Sequence, residues 1–202
     1  SQSLTYNYIS NKVLNKKIKY TQDYPMDLGP PPLFSLINLK RKAHFRNSKQ
    51  VMHIKNCYHL LIWRGKLLFR FNDGKPFPYL INQRTKFIKK LTTYIFLGEF
   101  ENKNVFLWDM SDSRDVLGNT GQIGSFNDAD RNYHPDLPKG TYFCDLRNLL
   151  PVLNSKYANL CATAKGMYEW HKRVSFCQSC GGKLSSDKAG WEKTCIKCNF
   201  KQ

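Results

Sequence analysis

The chain has 202 residues, 41% hydrophobic and 14% aromatic, enough to fill a packed core and to exclude global disorder. It carries 32 Lys and Arg against 15 Asp and Glu, a net charge of +17, which favours nucleic acid, an anionic membrane or an acidic protein partner. No apolar run reaches the roughly 18 residues of a membrane-crossing helix. Four of the seven cysteines fall in two close pairs; the odd remainder, Cys57, Cys144 and Cys161, argues against a secreted disulfide framework and for a reducing compartment.

Residues 1–50 read as an extended basic arm. The chain begins at Ser1 rather than Met, which reads as a trimmed start. Lys12, Lys16, Lys17 and Lys19 are interleaved with Tyr6, Tyr8, Ile18 and Tyr20 without a helical or strand period. Pro25, Pro30, Pro31 and Pro32 then favour an extended polyproline path. Lys40-Arg41-Lys42-Ala43-His44-Phe45-Arg46 is a basic cluster suited to phosphate or to a protein neighbour. Such an arm suits a strap laid over neighbouring subunits and ordered by that contact.

Residues 51–152 read as a β domain. Tyr58-His59-Leu60-Leu61-Ile62-Trp63 and Lys66-Leu67-Leu68-Phe69-Arg70-Phe71 are strands about a turn at Arg64-Gly65. Asn72-Asp73-Gly74 is a strong turn signal, and its prolines confine the segment Pro76-Phe77-Pro78-Tyr79-Leu80-Ile81 to a sheet edge. Thr92 to Phe100 and Val105 to Met110 form the best hairpin, turned at Glu101-Asn102-Lys103-Asn104. Its continuous apolar character implies burial on both faces, or one face on the core and one on a partner. Residues 111–140 read as a loop that meets a partner or is partly mobile. Gly118-Asn-Thr-Gly121-Gln-Ile-Gly124 within it lacks the Lys-Ser/Thr of a phosphate loop, so it is not read as a nucleotide site.

Residues 153–175 hold a linking helix from about residue 155 to 171. Leu160, Cys161, Ala164, Met167 and Tyr168 recur at helical spacing, and His171 near its end reads as a capping or packing residue. Residues 176–202 then contain Cys177-Gln-Ser-Cys180 and, after 14 residues, Cys195-Ile-Lys-Cys198. Two C-x2-C knuckles supply four thiolates, which saturate tetrahedral zinc and leave no position for water. The alternatives are a disulfide pair or unrelated free thiols. Gly181-Gly182 permits a tight first knuckle, and residues 183–194 have room for a small hairpin. The expected centre is one structural Zn2+ on Cys177, Cys180, Cys195 and Cys198. Lys183, Lys188, Lys193, Lys197 and Lys201 would place a basic surface around it, suited to RNA and giving steep salt dependence.

Ala164-x-x-Met167-x-x-Trp170-His171, followed by Phe176-Cys177-x-x-Cys180-Gly181, resembles a junction in the NADH pyrophosphatases of the Nudix superfamily. Gly190-Trp191-Glu192-Lys193-Thr194-Cys195 is similar to the middle of that family's zinc ribbon. The hairpin from Ile95 to Asp109 and Asp145-Leu146-Arg147 resemble its N-terminal β domain. The resemblance covers roughly residues 57–200. It implies an α+β fold: a small antiparallel β domain with a C-terminal helix leading into a four-cysteine zinc ribbon. In that family catalysis resides in a Nudix domain after the ribbon, whose clustered glutamates bind Mg2+. Here the only glutamates are Glu99, Glu101, Glu169 and Glu192, and no Arg-Glu-x-x-Glu-Glu stretch occurs before Gln202. The five histidines form no H-E-x-x-H or H-x-H pattern. No catalytic or cofactor-binding residue is therefore carried over.

The expectation is a non-catalytic, zinc-binding accessory or structural subunit, derived from an NADH pyrophosphatase-like protein. Its place would be a large mitochondrial assembly, a respiratory-chain complex or the ribosome, in the matrix or on the matrix side of the inner membrane. Its partners would be other protein subunits reached through the arm, with RNA and peripheral contact with membrane subunits as further candidates. One alternative is the N-terminal part of an active NADH pyrophosphatase, expected as a homodimer. The other is a basic zinc-ribbon protein that binds RNA.

Overall fold

The computed structural model describes residues 34, 38–47, 51, 54–82, 85–118 and 131–202. The expectations for residues 1–33 and for the glycine-rich run after Gly118 lie outside these residues.

Two-residue turns organise the sheet. Strand β1 is Leu39–Lys40, β2 is Cys57–Trp63, β3 is Lys66–Asn72, β4 is Lys75–Pro78, β5 is Tyr94–Phe100 and β6 is Lys103–Asp109. Arg64-Gly65 joins β2 to β3 with φ of 46° and 84°, and Asp73-Gly74 joins β3 to β4 with 47° and 75°. Glu101-Asn102 joins β5 to β6 with 50° and 59°. Left-handed φ at both central positions matches the strands' right-handed twist, which is why tight hairpins use such turns.

Strand β7 is Thr141–Cys144, and the sheet order is β1-β5-β6-β2-β3-β4 with β7 on β3. All ladders but one are antiparallel. β2 and β6 run parallel, from Cys57 opposite Asn104 to Ile62 opposite Asp109. The expected antiparallel sheet is thus a mixed one, because its two hairpins meet along strands of the same direction. β2 and β3 pair only at Ile62–Leu67 and Trp63–Lys66, then diverge. The chain after β4 fills the gap: Tyr79 N–H donates to Leu68 O at 2.9 Å, and His59 and Ile81 exchange bonds of 2.8 and 3.0 Å.

Alternation along the strands sorts side chains onto two buried faces. Leu60, Ile62, Leu67, Phe69, Ile95, Leu97, Val105 and Leu107 share one core. Leu61, Trp63, Leu68, Phe96, Phe106 and Trp108 share the other. This double burial explains the near-continuous apolar strands. Each such side chain contributes about 1.5–3 kcal/mol on leaving water.

The short helices α1 (Lys86–Lys89) and α2 (Leu146–Leu149) flank the sheet, and α3 spans Ser155–Arg173. Ile88 of α1 joins the second core, whereas Ala158, Leu160, Cys161, Ala164 and Tyr168 of α3 join the first. Asn154 starts α3, its side chain accepting from Lys156 N–H at 2.9 Å. The helix runs two residues past the expected end, and Lys172 and Arg173 bring positive charge to its last turn. Among the described residues no helix is long and apolar enough to cross a membrane.

The basic run from Lys40 to Arg46, placed in the arm by the sequence, lies against this body. β1 pairs with β5, Leu39 opposite Phe100 and Lys40 opposite Glu99. Lys40 and Lys42 reach Glu99 at 3.2 and 3.1 Å, and a 3-10 helix, Ala43–Asn47, comes next. Gly98, at a bulge in β5 with φ of 134°, makes room: a Cβ there would lie 2.3 Å from Lys40 O.

Candidate metal centre

After α3 the chain forms a second, two-stranded sheet. β8 (Leu184–Asp187) and β9 (Glu192–Cys195) pair antiparallel, from Leu184 opposite Cys195 to Asp187 opposite Glu192. A 3-10 turn, Lys188–Gly190, connects them, so the expected hairpin is present.

The two cysteine knuckles are the same device used twice. In the first, Cys177 N–H donates to Gly182 O at 2.8 Å and Gly181 N–H returns to Cys177 O at 2.8 Å. In the second, Cys195 N–H donates to Phe200 O at 2.9 Å and Asn199 N–H returns to Cys195 O at 3.0 Å. Ser179 N–H and Lys197 N–H each point at the preceding sulfur, Cys177 Sγ and Cys195 Sγ, at 3.4 Å. The fifth residue of each turn is left-handed, Gly181 at φ 69° and Asn199 at φ 59°. Glycine adopts that backbone freely, and asparagine is among the few other residues that visit it.

These turns bring the four sulfurs to within 4.8 Å of one another. Cys177–Cys198, Cys180–Cys195 and Cys180–Cys198 are separated by 3.7, 3.5 and 3.3 Å. Four thiolates about 2.3 Å from one tetrahedral ion stand roughly 3.8 Å apart, whereas a disulfide needs about 2.05 Å. All seven cysteines are free thiols, so the disulfide alternative is not what this fold contains. The arrangement could hold a metal ion, and a set of four thiolates is consistent with zinc. Gly182 belongs to the cradle: a Cβ there would lie 3.0 Å from Cys195 Sγ and 2.9 Å from Lys197 Cβ.

The electrostatics favour thiolate at Cys195. Backbone N–H groups of Cys198 and Lys197 pull the Cys195 thiol down to about 6, against the effect of burial. The Phe200 N–H pulls Cys198 down, but the sulfurs of Cys180, Cys195 and Cys177 outweigh it and push Cys198 up. Sulfurs this close cannot all ionise until a cation lies among them.

The centre is fastened to the end of α3 and to β5. Lys193 is buried, and its ammonium donates to the carbonyls of His171, at 3.0 Å, and Val174. These carbonyls lie where the helix runs out of N–H partners and where the helix dipole favours a cation. Burial holds the Lys193 ammonium below its ordinary value. His171 Nε2 bonds Gly190 O at 2.8 Å, which makes it a packing histidine as the sequence indicates; burial keeps its pKa low. Trp191 Nε1 donates to Phe96 O of β5, with the Arg46 guanidinium 3.6 Å above its ring. Gly190, at φ 91°, lets the turn touch β5, since a Cβ would meet Ile95 Cγ1 at 2.9 Å.

The basic surface expected around the centre is thinner than the composition indicates. Lys193 faces inward, and Lys188 and Lys201 bind Glu192 at 2.8 and 3.1 Å. Lys183 and Lys197 are exposed. Sequence reasoning missed Lys193 and Trp191 as docking residues. Neither left a sequence signal: Trp191 ends the 3-10 turn just before β9, and the partners of both residues are backbone carbonyls.

A mixed sheet packed on one long helix, which leads directly into four clustered cysteines, defines an α+β protein with a C-terminal ribbon whose cysteines could hold a metal ion. A family profile, the NADH pyrophosphatase-like rudimentary NUDIX domain, matches residues 57–170, and the chain belongs to this NUDIX-like family. The match covers more than half of the chain, from the start of β2 into the last turn of α3, and the cysteine ribbon lies beyond it. No curated protein matches the chain.

Proposed function

We propose that the chain is a non-catalytic accessory subunit of a large mitochondrial assembly, a respiratory-chain complex or the ribosome, and that its ribbon holds one structural zinc ion. The fate of the glutamates carries this reading for residues 1–202. Nudix-type hydrolysis needs several carboxylates converging on hard divalent cations. Glu99 is held by Lys40 and Lys42, Glu101 by Lys156, Glu169 by Lys165 and Arg173, and Glu192 by Lys188 and Lys201. They stand on β5, the β5–β6 turn, α3 and β9, each neutralised where it is. Among the described residues the one group of three or more metal-ligating side chains is the four cysteines. Four thiolates suit zinc rather than magnesium, and a closed site stabilises a fold rather than activating water.

The cellular setting is argued from composition. A net charge of +17 suits an assembly rich in acidic surface or RNA. Cys57, Cys144 and Cys161 are buried thiols, and burial pushes Cys161 up, which keeps it inert in reducing surroundings. The arm would tie the body to neighbouring subunits.

The test is intact mass under native and denaturing conditions on protein from its natural source, with sedimentation and an NADH-cleavage assay in Mg2+. One zinc, co-sedimentation with a large mitochondrial complex and no cleavage are expected. A longer chain that cleaves the dinucleotide diphosphate would favour the second reading, which the family match supports: the N-terminal part of an NADH pyrophosphatase.

A further inference from the structure

The ribbon carries apolar side chains on its outside. Phe176 is 62% exposed and Ile196 is 68% exposed, each beside a cysteine whose sulfur faces the centre. The backbone aligns them. Phe176 bridges to Lys183, and Ile196 N–H donates to Lys183 O at 3.1 Å, one step beyond the Leu184–Cys195 pair. Residues directly opposite on adjacent strands share a face. Phe176, Lys183 and Ile196 therefore form one row across three strands, an aromatic ring, an ammonium and a branched aliphatic. The same logic sets Ser185, Thr194 and Lys201 in the next row on that face.

We infer that this face is the ribbon's docking surface for a neighbouring protein subunit, and that the subunit meets it with an apolar pocket rimmed by carboxylates. The inference rests on the subunit reading above and names the surface used. Neither Phe176 nor Ile196 belongs to either buried core, so their exposure leaves apolar area for a partner to cover. The charge is complementary. Lys183 stands inside the row, Lys197 is exposed beside the second knuckle, and the acidic Glu192 is already satisfied by Lys188 and Lys201. Single-stranded RNA fits less well. Stacking needs successive rings, whereas the row offers one ring and an aliphatic, and Lys193 is buried away from phosphate.

Zero-length carbodiimide coupling, which joins an ammonium to a carboxylate in contact, tests this on the assembly isolated from its natural source. The expected product is Lys183 or Lys197 in amide linkage to Asp or Glu of another polypeptide. In parallel, Phe176→Ser combined with Ile196→Ser should keep its zinc yet lose at least about tenfold in incorporation. Val152→Ser, an exposed apolar position in the turn that precedes α3, should incorporate normally. Failure to co-sediment with any large assembly would defeat the subunit reading itself. Co-sedimentation with both lysines as freely acetylated as in the isolated chain would overturn only the docking surface. Ultraviolet crosslinks from Phe176 to nucleotides would overturn it in favour of RNA.

Discussion

The sheet body and the ribbon hold themselves together by different means. The body buries leucines, phenylalanines and tryptophans on two faces of one sheet. In residues 176–202 the buried positions are Cys177, Gly190, Lys193 and Cys195, with no aliphatic or aromatic side chain among them. A segment this small cannot exclude enough apolar surface to fold alone, and a metal ion is the usual replacement for its core. The body should therefore fail by loss of packing and the ribbon by loss of its ion.

The largest expected effect separates the two outright. For the structural zinc proposed above, chelation or Cys177→Ser should remove binding energy on the order of 10 kcal/mol. Hydrogen exchange should then show amides of β8 and β9 unprotected while those of β2, β5 and β6 stay slow. Equal loss in both regions would mean that the sheet depends on the ion as well. The converse is Phe96→Ala, a fully buried ring, which should cost about 3–5 kcal/mol and lower the midpoint of urea unfolding. The folded fraction should keep its full complement of metal.

Lys193→Met sits on the seam between the regions. It leaves the His171 and Val174 carbonyls without their donor, a cost of about 1–3 kcal/mol. Exchange should quicken at the last turn of α3 first, with the cysteine centre still loaded. Acid acts on the body through Asp145, which caps α2 by accepting from Arg147 N–H at 2.9 Å. Burial raises its carboxyl, but the Arg147 side chain and N–H, with Lys165 nearby, outweigh burial and hold it low. Its contribution is full above the ordinary value of about 3.9 and disappears as pH falls through the lower folded value. Urea midpoints from pH 6 to pH 2 should show that loss, and Asp145→Asn should reduce it. The smallest effect compares the knuckles. Asn199→Gly should change stability by a few tenths of a kcal/mol, while Gly181→Val forces a branched residue to φ 69° and should cost about 1–2 kcal/mol of ribbon stability.

What was legible in the sequence was local. Turn pairs such as Asp73-Gly74, the helical spacing through Ala164 and Tyr168, and the knuckle spacing each depend on residues a few positions apart. The parallel contact of β2 with β6 was not legible, because two hairpins can join along either edge and burial on both faces leaves no polar edge as a guide. The place of Lys40 to Arg46 was hidden for a similar reason. A basic run looks solvated until Glu99 and Trp191, far along the chain, are brought beneath it. Lys193 looked like surface because its partners are backbone carbonyls, which leave no trace in composition.

The reach of Lys193 back to α3 also sets an order of events. During synthesis the sheet strands and the whole of α3 are made before residue 193 exists. The helix must wait, its final carbonyls turned to water, until the hairpin behind it has been made and folded over. A chain interrupted between the two knuckles would leave the carbonyls of His171 and Val174 without their ammonium donor, beside the two thiols of the first knuckle.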